Sequence, residues 1–199
     1  SAGNDGPDGY TVGTPGAADA ALTVGAVDRD DSLADFSSRG PRWWNQAVKP
    51  DITAPGVAIT AARAAGTAMG SPVDKLYTAA SGTSMAAPHV AGAAALVAAQ
   101  HPEWPNARLK DALVSTAVLG DLSPYEQGGG RVDVARAVTQ PVTAAGTLYL
   151  GDFLDDETGS VSTDVTWTNT GDTDVELMLD LEFTNQNGES AGESVSLGA

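Results

Sequence analysis

The chain has 199 residues, 42 % of them hydrophobic and 18 % charged, with a formal net charge of −16 and no cysteine. That length suits one to one-and-a-half globular domains, and the composition excludes a disordered polypeptide. The acidity repels phosphate backbones and so excludes nucleic-acid binding, and the missing cysteines exclude disulfides, thiolate metal sites and cysteine nucleophiles together.

The charge divides the chain. Residues 1–136 hold all ten Lys and Arg beside 14 Asp and Glu, whereas residues 137–199 hold 12 acidic residues and no base. The longest apolar run, Val90 to Ala99, is far short of the ~20 residues that cross a bilayer, and no lipidation motif is present, so no membrane anchor is expected.

In chain order, Leu22–Val27 is a short apolar run suited to a buried strand, and Val57–Ala62, after the Pro55-Gly56 turn, reads likewise. Leu76–Ala80 is a third strand candidate and leads into Gly82-Thr83-Ser84. The following MAAPHVAGAAALVAAQ, residues 85–100, is Ala-rich and has no strand period; small residues nearly all round predict a helix buried tightly against its neighbours. Asn106 is placed to cap a second helix from Ala107 to about Val118, with Leu109, Leu113 and Val114 on one stripe. After Gly128-Gly129-Gly130, Asp133 is placed to cap a third helix, Val134 to Val138. Strands alternating with helices predict an α/β layer architecture.

Gln140-Pro141 reads as a boundary. Beyond it Thr147–Phe153, Val161–Thr168 and Val175–Phe183 alternate apolar and polar residues, and turn chemistry separates them. Residues 142–199 are therefore expected to begin an antiparallel β-sandwich, shorter than the ~100 residues of a complete one.

The strongest chemical signal is Gly82-Thr83-Ser84-Met85-Ala86-Ala87-Pro88-His89. A serine at a strand-to-helix turn exposes its hydroxyl where the helix dipole and unpaired N–H groups favour developing negative charge. A serine there is also a common helix cap, and spacing alone leaves both readings open. Neither histidine supplies a local base. His89 is turned about 140° from Ser84 around the helix, and His101 lies about 25 Å along it. Nothing in the spacing of Lys75 recommends it.

Residues 82–92, GTSMAAPHVAG, closely resemble the active-site serine motif of the subtilisin-like serine proteases (subtilases, peptidase family S8). Further likenesses follow in collinear order. Ser1-Ala2-Gly3-Asn4-Asp5-Gly6 resembles the family's oxyanion-asparagine segment, and Val12-Gly13-Thr14-Pro15-Gly16 the wall of its specificity pocket. Phe36–Pro41 and Lys49–Gly56 resemble two more signatures, and Gly128–Asp133 the turn that closes the catalytic domain.

The resemblance implies that residues 1–140 are the C-terminal part of a subtilisin-like three-layer parallel-sheet domain, followed by a partial fibronectin III- or Ig-like β-sandwich. It assigns Ser84 as nucleophile and Asn4 as oxyanion donor beside the Ser84 N–H. Ala2, Gly3 and Gly13 would line the primary specificity pocket, Asp5 would stand near its rim, and Pro15 would follow a cis peptide bond. His89 and Asp51 match structural positions of the family rather than catalytic ones. Trp43-Trp44 falls in what looks like an insertion and is expected to pack over a loop.

The family's Asp and His motifs precede its oxyanion segment, and this sequence opens at that segment. The chain is therefore expected to be a fragment of a secreted serine endopeptidase. It should be inactive without the upstream part of the same catalytic domain, with a polypeptide as substrate and no required cofactor. The family's calcium loops make a structural Ca²⁺ compatible with the resemblance. The run Asp152-Asp155-Asp156-Glu157 is either a solvated acidic turn or such a site. The alternative from another class is a catalytically dead subtilase-like scaffold or an adhesin-type binding module; retention of both Ser84 and Asn4 favours the enzyme. A lipase-type hydrolase is disfavoured because no suitable histidine follows Ser84.

Overall fold

A computed structural model of the chain describes residues 1–150 and 162–180. Two parallel strands, β1 (Val24–Val27) and β2 (Ile52–Pro55), run in register from Val24 opposite Ile52 to Val27 opposite Pro55. An antiparallel sheet follows, in the order β3 (Ile59–Ala62), β5 (Tyr77–Ala80), β4 (Ser71–Pro72). Next come α1 (Thr83–Gln100), α2 (Asn106–Ser115), α3 (Pro124–Gln127) and α4 (Val134–Thr139). A last antiparallel pair joins β6 (Val142–Ala144) to β7 (Trp167–Asn169).

The core lies where α1 crosses β1 and β2, with α2 and α4 on its flank. Val24, Ala26, Ile52 and Ala54 from the strands meet Ala86, Val90, Ala93 and Val97 from α1, and Leu113, Val114 and Ala137 close the cluster. Strand β2 was not among the predicted strands. Its buried ITA run lacks alternation because it is covered along its length, as parallel strands are.

Helix α1 packs tightly against its neighbours along one side only. Thr83, Ala86, Val90, Ala93 and Val97 form one buried stripe at helical spacing. Pro88, Ala91, Gly92, Ala95 and Ala99 are exposed, and Leu96 is 55 % exposed. The elements that pack on α1 among the described residues, β1, β2, α2 and α4, meet it along that stripe.

Helix α2 begins at Asn106 with Pro105 in the cap position, so Asn106 is a helical residue and not the predicted cap. It ends at Ser115, three residues short of the expected Val118, which instead pairs with Arg131 in a β-bridge. Asp133 caps α4 as predicted, its carboxylate accepting the Arg136 N–H at 2.9 Å. The short α3 was not predicted; Ser123 and Glu126 form a capping box around it.

A buried ionic cluster ties the start of β1 to the start of β2. The Lys49 ammonium donates to Asp51 at 2.8 Å and to the Ala21 carbonyl at 2.9 Å. The same carboxylate accepts the Thr23 N–H at 2.7 Å and pairs with Lys110 of α2 at 2.9 Å. Burial, the largest influence, holds the Lys49 pKa below its ordinary value, against the raising effect of Asp51.

The β-sandwich expected beyond Pro141 is not formed by the described residues. Residues 147–150 and 175–180 carry no strand, and of the candidate Val161–Thr168 only Trp167 and Thr168 enter one. The remainder of these candidates lies outside the described residues. Val175, Leu177 and Leu179 keep their alternation but stay exposed, because no second apolar face among the described residues covers them. Strand β6 lies against α2: Ala144 N–H donates to Ser115 Oγ at 3.3 Å, and Gly146 N–H to Asp111 at 3.2 Å.

Candidate active site

Strand β5 passes through Ser81 and Gly82 directly into α1. The Gly82 N–H donates to the Gly56 carbonyl at 2.8 Å, at the end of β2. A Cβ on Gly56 would stand 2.6 Å from the Ala26 methyl and 2.9 Å from the Gly82 carbonyl, so only glycine allows this approach. The core sheet thereby fixes where α1 begins.

Gly82 occupies the cap position and Thr83 opens the helix, so Ser84 is its second residue and not its cap. Ser84 is exposed. It stands in the first turn, where backbone N–H groups have no intrahelical acceptor and the positive end of the dipole lies. Pro88, the sixth residue of α1, has no N–H to return to the Ser84 carbonyl.

Asn4 is held against this turn. Its Oδ1 accepts the Thr83 N–H at 2.9 Å and the Thr83 hydroxyl at 3.0 Å. An amide oxygen that accepts from a backbone N–H must be the oxygen, so the orientation of the group is fixed. Nδ2 is the free end: it makes no bond to a described residue, and it lies 3.3 Å from where a Cβ on Gly82 would be. The Gly3 N–H donates to the same Thr83 hydroxyl at 3.3 Å. Thr83, itself buried, thus clamps the 2–4 segment to the start of α1. It was not among the predicted site residues; the only signal in the sequence is a hydroxyl residue immediately before the serine.

The other predicted positions fall into two groups. Ala2 is buried and donates its N–H to Val24 at the edge of β1, and the Gly13 N–H returns to the Ala2 carbonyl at 3.3 Å. Gly3 has φ +115°, and a Cβ there would meet Ser38 Oγ at 2.7 Å, whereas a Cβ on Gly13 would meet nothing within 4 Å. Ala2, Gly3 and Gly13 are therefore gathered beside Asn4. Asp5 and Pro15 are exposed at the margins; the Asp5 N–H donates to Ser38 Oγ at 3.1 Å, and the Thr14-Pro15 bond is cis as expected.

No base stands beside Ser84 among the described residues. His89 is exposed, with Nδ1 2.9 Å from the Met85 carbonyl one turn back. His101 stacks on Trp104 at 3.8 Å, and Lys75 is exposed in the turn before β5. Asp51 is a packing residue, as the resemblance implied. The expected packing of Trp43 and Trp44 is not seen: Trp43 is 74 % exposed, and Trp44 takes the Arg42 guanidinium over its ring at 4.7 Å. Among the described residues no three His, Asp or Glu side chains are grouped to hold a metal ion, and no helix is long and apolar enough to cross a membrane. The Asp152–Glu157 run lies outside the described residues.

A cavity of about 660 Å³ opens beside Asn4 and Ser84. Its far walls come from Met85 and from the β3–β5–β4 sheet; Ala2, Gly3, Asp5, Gly13 and Pro15 do not line it.

The sequence model of the Subtilase family matches residues 1–171. Subtilisin of Bacillus pumilus is 42 % identical over 139 residues, covering 68 % of this chain and 44 % of that protein. Serine protease AprX of Bacillus subtilis is 40 % identical over 154 residues, covering 69 % and 34 %. Among solved structures, the self-cleaved protease domain of PatA matches with a TM-score of 0.52 at 31 % identity, over 69 % of this chain and 47 % of that one. The chain spans less than half the length of these relatives. The match across residues 1–171, on an α/β fold with the motif serine at the head of α1, means that the chain belongs to the subtilase family of serine endopeptidases.

Proposed function

We propose that the chain supplies the nucleophile and the oxyanion hole of a serine endopeptidase, with Ser84 attacking the scissile carbonyl and Asn4 stabilising the charge that develops. The observation that carries this reading is the fixed orientation of Asn4. Its Oδ1 is occupied by Thr83, which leaves Nδ2 as a donor beside an exposed serine in the first turn of α1. Attack by Ser84 Oγ turns the carbonyl oxygen into an oxyanion. Asn4 Nδ2 and the Ser84 backbone N–H are the two donors for it, reinforced by the helix dipole. Both are in place before reaction, so little reorganisation accompanies the chemistry.

The hydroxyl proton must leave before an acyl-enzyme can form, and neither histidine of the chain is placed to take it. The upstream part of the same catalytic domain therefore provides the acid and base. Without it only the oxyanion hole and binding contribute. On the substrate, Ala2, Gly3, Gly13, Asp5 and Pro15 form the surface that takes the residue on the acyl side of the scissile bond. The small residues leave room for a large apolar side chain. Family membership supports a site of action outside the cell.

The test is casein hydrolysis by the full-length gene product. Ser84→Ala should abolish it, and an active-serine phosphonate probe should label the full-length product but not this isolated chain. Hydrolysis that survives Ser84→Ala, or labelling of the isolated chain, refutes the proposal.

A further inference from the structure

Thr83 fixes which way the Asn4 amide points, but the Asn4 backbone is placed from the other side, by residues 36–38. The Asn4 main chain makes no hydrogen bond of its own to a described residue, whereas the peptide groups before and after it both end on Ser38. The Ser38 N–H donates to the Gly3 carbonyl at 3.0 Å, and Ser38 Oγ accepts the Asp5 N–H at 3.1 Å. Gly3, at φ +115°, lets the hydroxyl come this close; a Cβ there would fall 2.7 Å from it. One step further on, the Gly6 N–H donates to the Phe36 carbonyl at 3.0 Å. Residues 3–6 are thus laid along residues 36–38, and Ser38 brackets Asn4.

This support is anchored in the core. Ser37 and Ser38 are both fully buried. Ser37 Oγ accepts the Ala26 N–H of β1 at 3.0 Å, and the Ser37 N–H donates to the Ala34 carbonyl at 2.8 Å. Ala34 in turn donates its N–H to the Ala26 carbonyl at 3.0 Å. Asn4 is therefore hung from β1 through residues 34–38. The start of α1, with the Ser84 N–H, is tied to the end of β2 by the bond from Gly82 to Gly56. Because β1 and β2 are paired in fixed register, the core sheet sets the spacing of the two donors through these two links.

We propose that Ser38 is a positioning residue of the oxyanion hole. It touches neither substrate nor reacting atoms, and it acts by holding the peptides on both sides of Asn4 so that Nδ2 meets the developing charge. This rests on the reading of Asn4 as an oxyanion donor. Such a donor is used on the way through the transition state and not in substrate binding, so loosening it lowers kcat and spares KM.

The test is a double-mutant cycle in the full-length product, with a peptide anilide as substrate. Ser38→Ala removes the acceptor for the Asp5 N–H; kcat should fall about fivefold, the scale of one hydrogen bond, with KM held within about twofold. In an Asn4→Leu background the same substitution should cost less than about twofold, because the group it positions is gone. Ser38→Cys fills the same place with a weaker acceptor, and its kcat should lie between those of serine and alanine. If the alanine variant does not fold, the cycle is run with Ser38→Cys. Equal losses in the two backgrounds mark a merely structural residue and overturn the proposal, as does an unchanged kcat or a loss confined to KM. If Asn4→Leu by itself leaves kcat unchanged, the proposed role of Asn4 fails and that of Ser38 falls with it.

Discussion

Replacing Asp51 by asparagine removes one charge and almost no volume, and the structure dictates a large cost. The carboxylate is buried and serves the Lys49 ammonium at 2.8 Å, Lys110 at 2.9 Å and the Thr23 N–H at 2.7 Å. Asparagine keeps the one oxygen that Thr23 and Lys49 share, but it leaves the buried Lys49 ammonium with neutral partners alone and turns its own NH2 toward Lys110. Breaking one side of a buried ion pair costs about 3–5 kcal/mol, a large share of the roughly 5–15 kcal/mol that holds a domain together. Urea unfolding at pH 7, followed by tryptophan fluorescence, should show the midpoint falling by more than about 1 M at unchanged slope. The double variant Lys49→Met with Asp51→Asn should regain more than half of the loss, because no ammonium is then left buried. The pH dependence has a definite sign. Burial lowers the Lys49 pKa in the folded state, so between that value and the ordinary 10.5 the unfolded chain binds more protons, and this group's contribution to stability rises with pH. Asp51→Asn removes the neighbour that raises the Lys49 pKa and widens that window, so its cost should shrink from pH 7 to pH 10. A loss under about 1 kcal/mol, or a double variant as unstable as the single one, refutes the assignment of the cost to an unpaired lysine.

Three further outcomes are expected. Thr83→Val removes the hydroxyl that holds Asn4 and Gly3 while keeping the backbone bond to Asn4; in the full-length product kcat/KM should fall about fivefold, the equivalent of about 1 kcal/mol for one hydrogen bond. Asn4→Leu in the same product should lower kcat by about 10²–10³, a figure taken over from the oxyanion asparagine of subtilisin itself and not worked out from this geometry. Gly56→Ala should destabilise the chain by about 1–3 kcal/mol in urea titrations, since its methyl would collide with Ala26 and the Gly82 carbonyl; a neutral result would show that β2 and the start of α1 can move apart.

Much of this fold is written in stretches of a few residues. An Ala-rich run without strand period can only be a helix, and Asp133 caps α4 because a cap and its N–H lie three residues apart. The GTSMAAPHVAG motif placed the serine at the head of that helix for the same reason. Local pattern misled where packing intervened. Asn106 looked like a cap, but Pro105 holds that position. The alternation near residues 161–180 predicted strands, yet the described residues supply no face to bury them against.

Sequence alone therefore determined the helical run, its serine and the family. Tertiary structure decided which residues stand beside that serine. The clamp joins Thr83 to Asn4 across 79 positions, the ionic cluster joins Asp51 to Thr23 across 28, and the cavity wall folds Met69 back along β5 toward Ser84. Neighbours along the chain are fixed by covalent geometry and leave periodic traces, whereas contacts over such separations exist only once the core has closed.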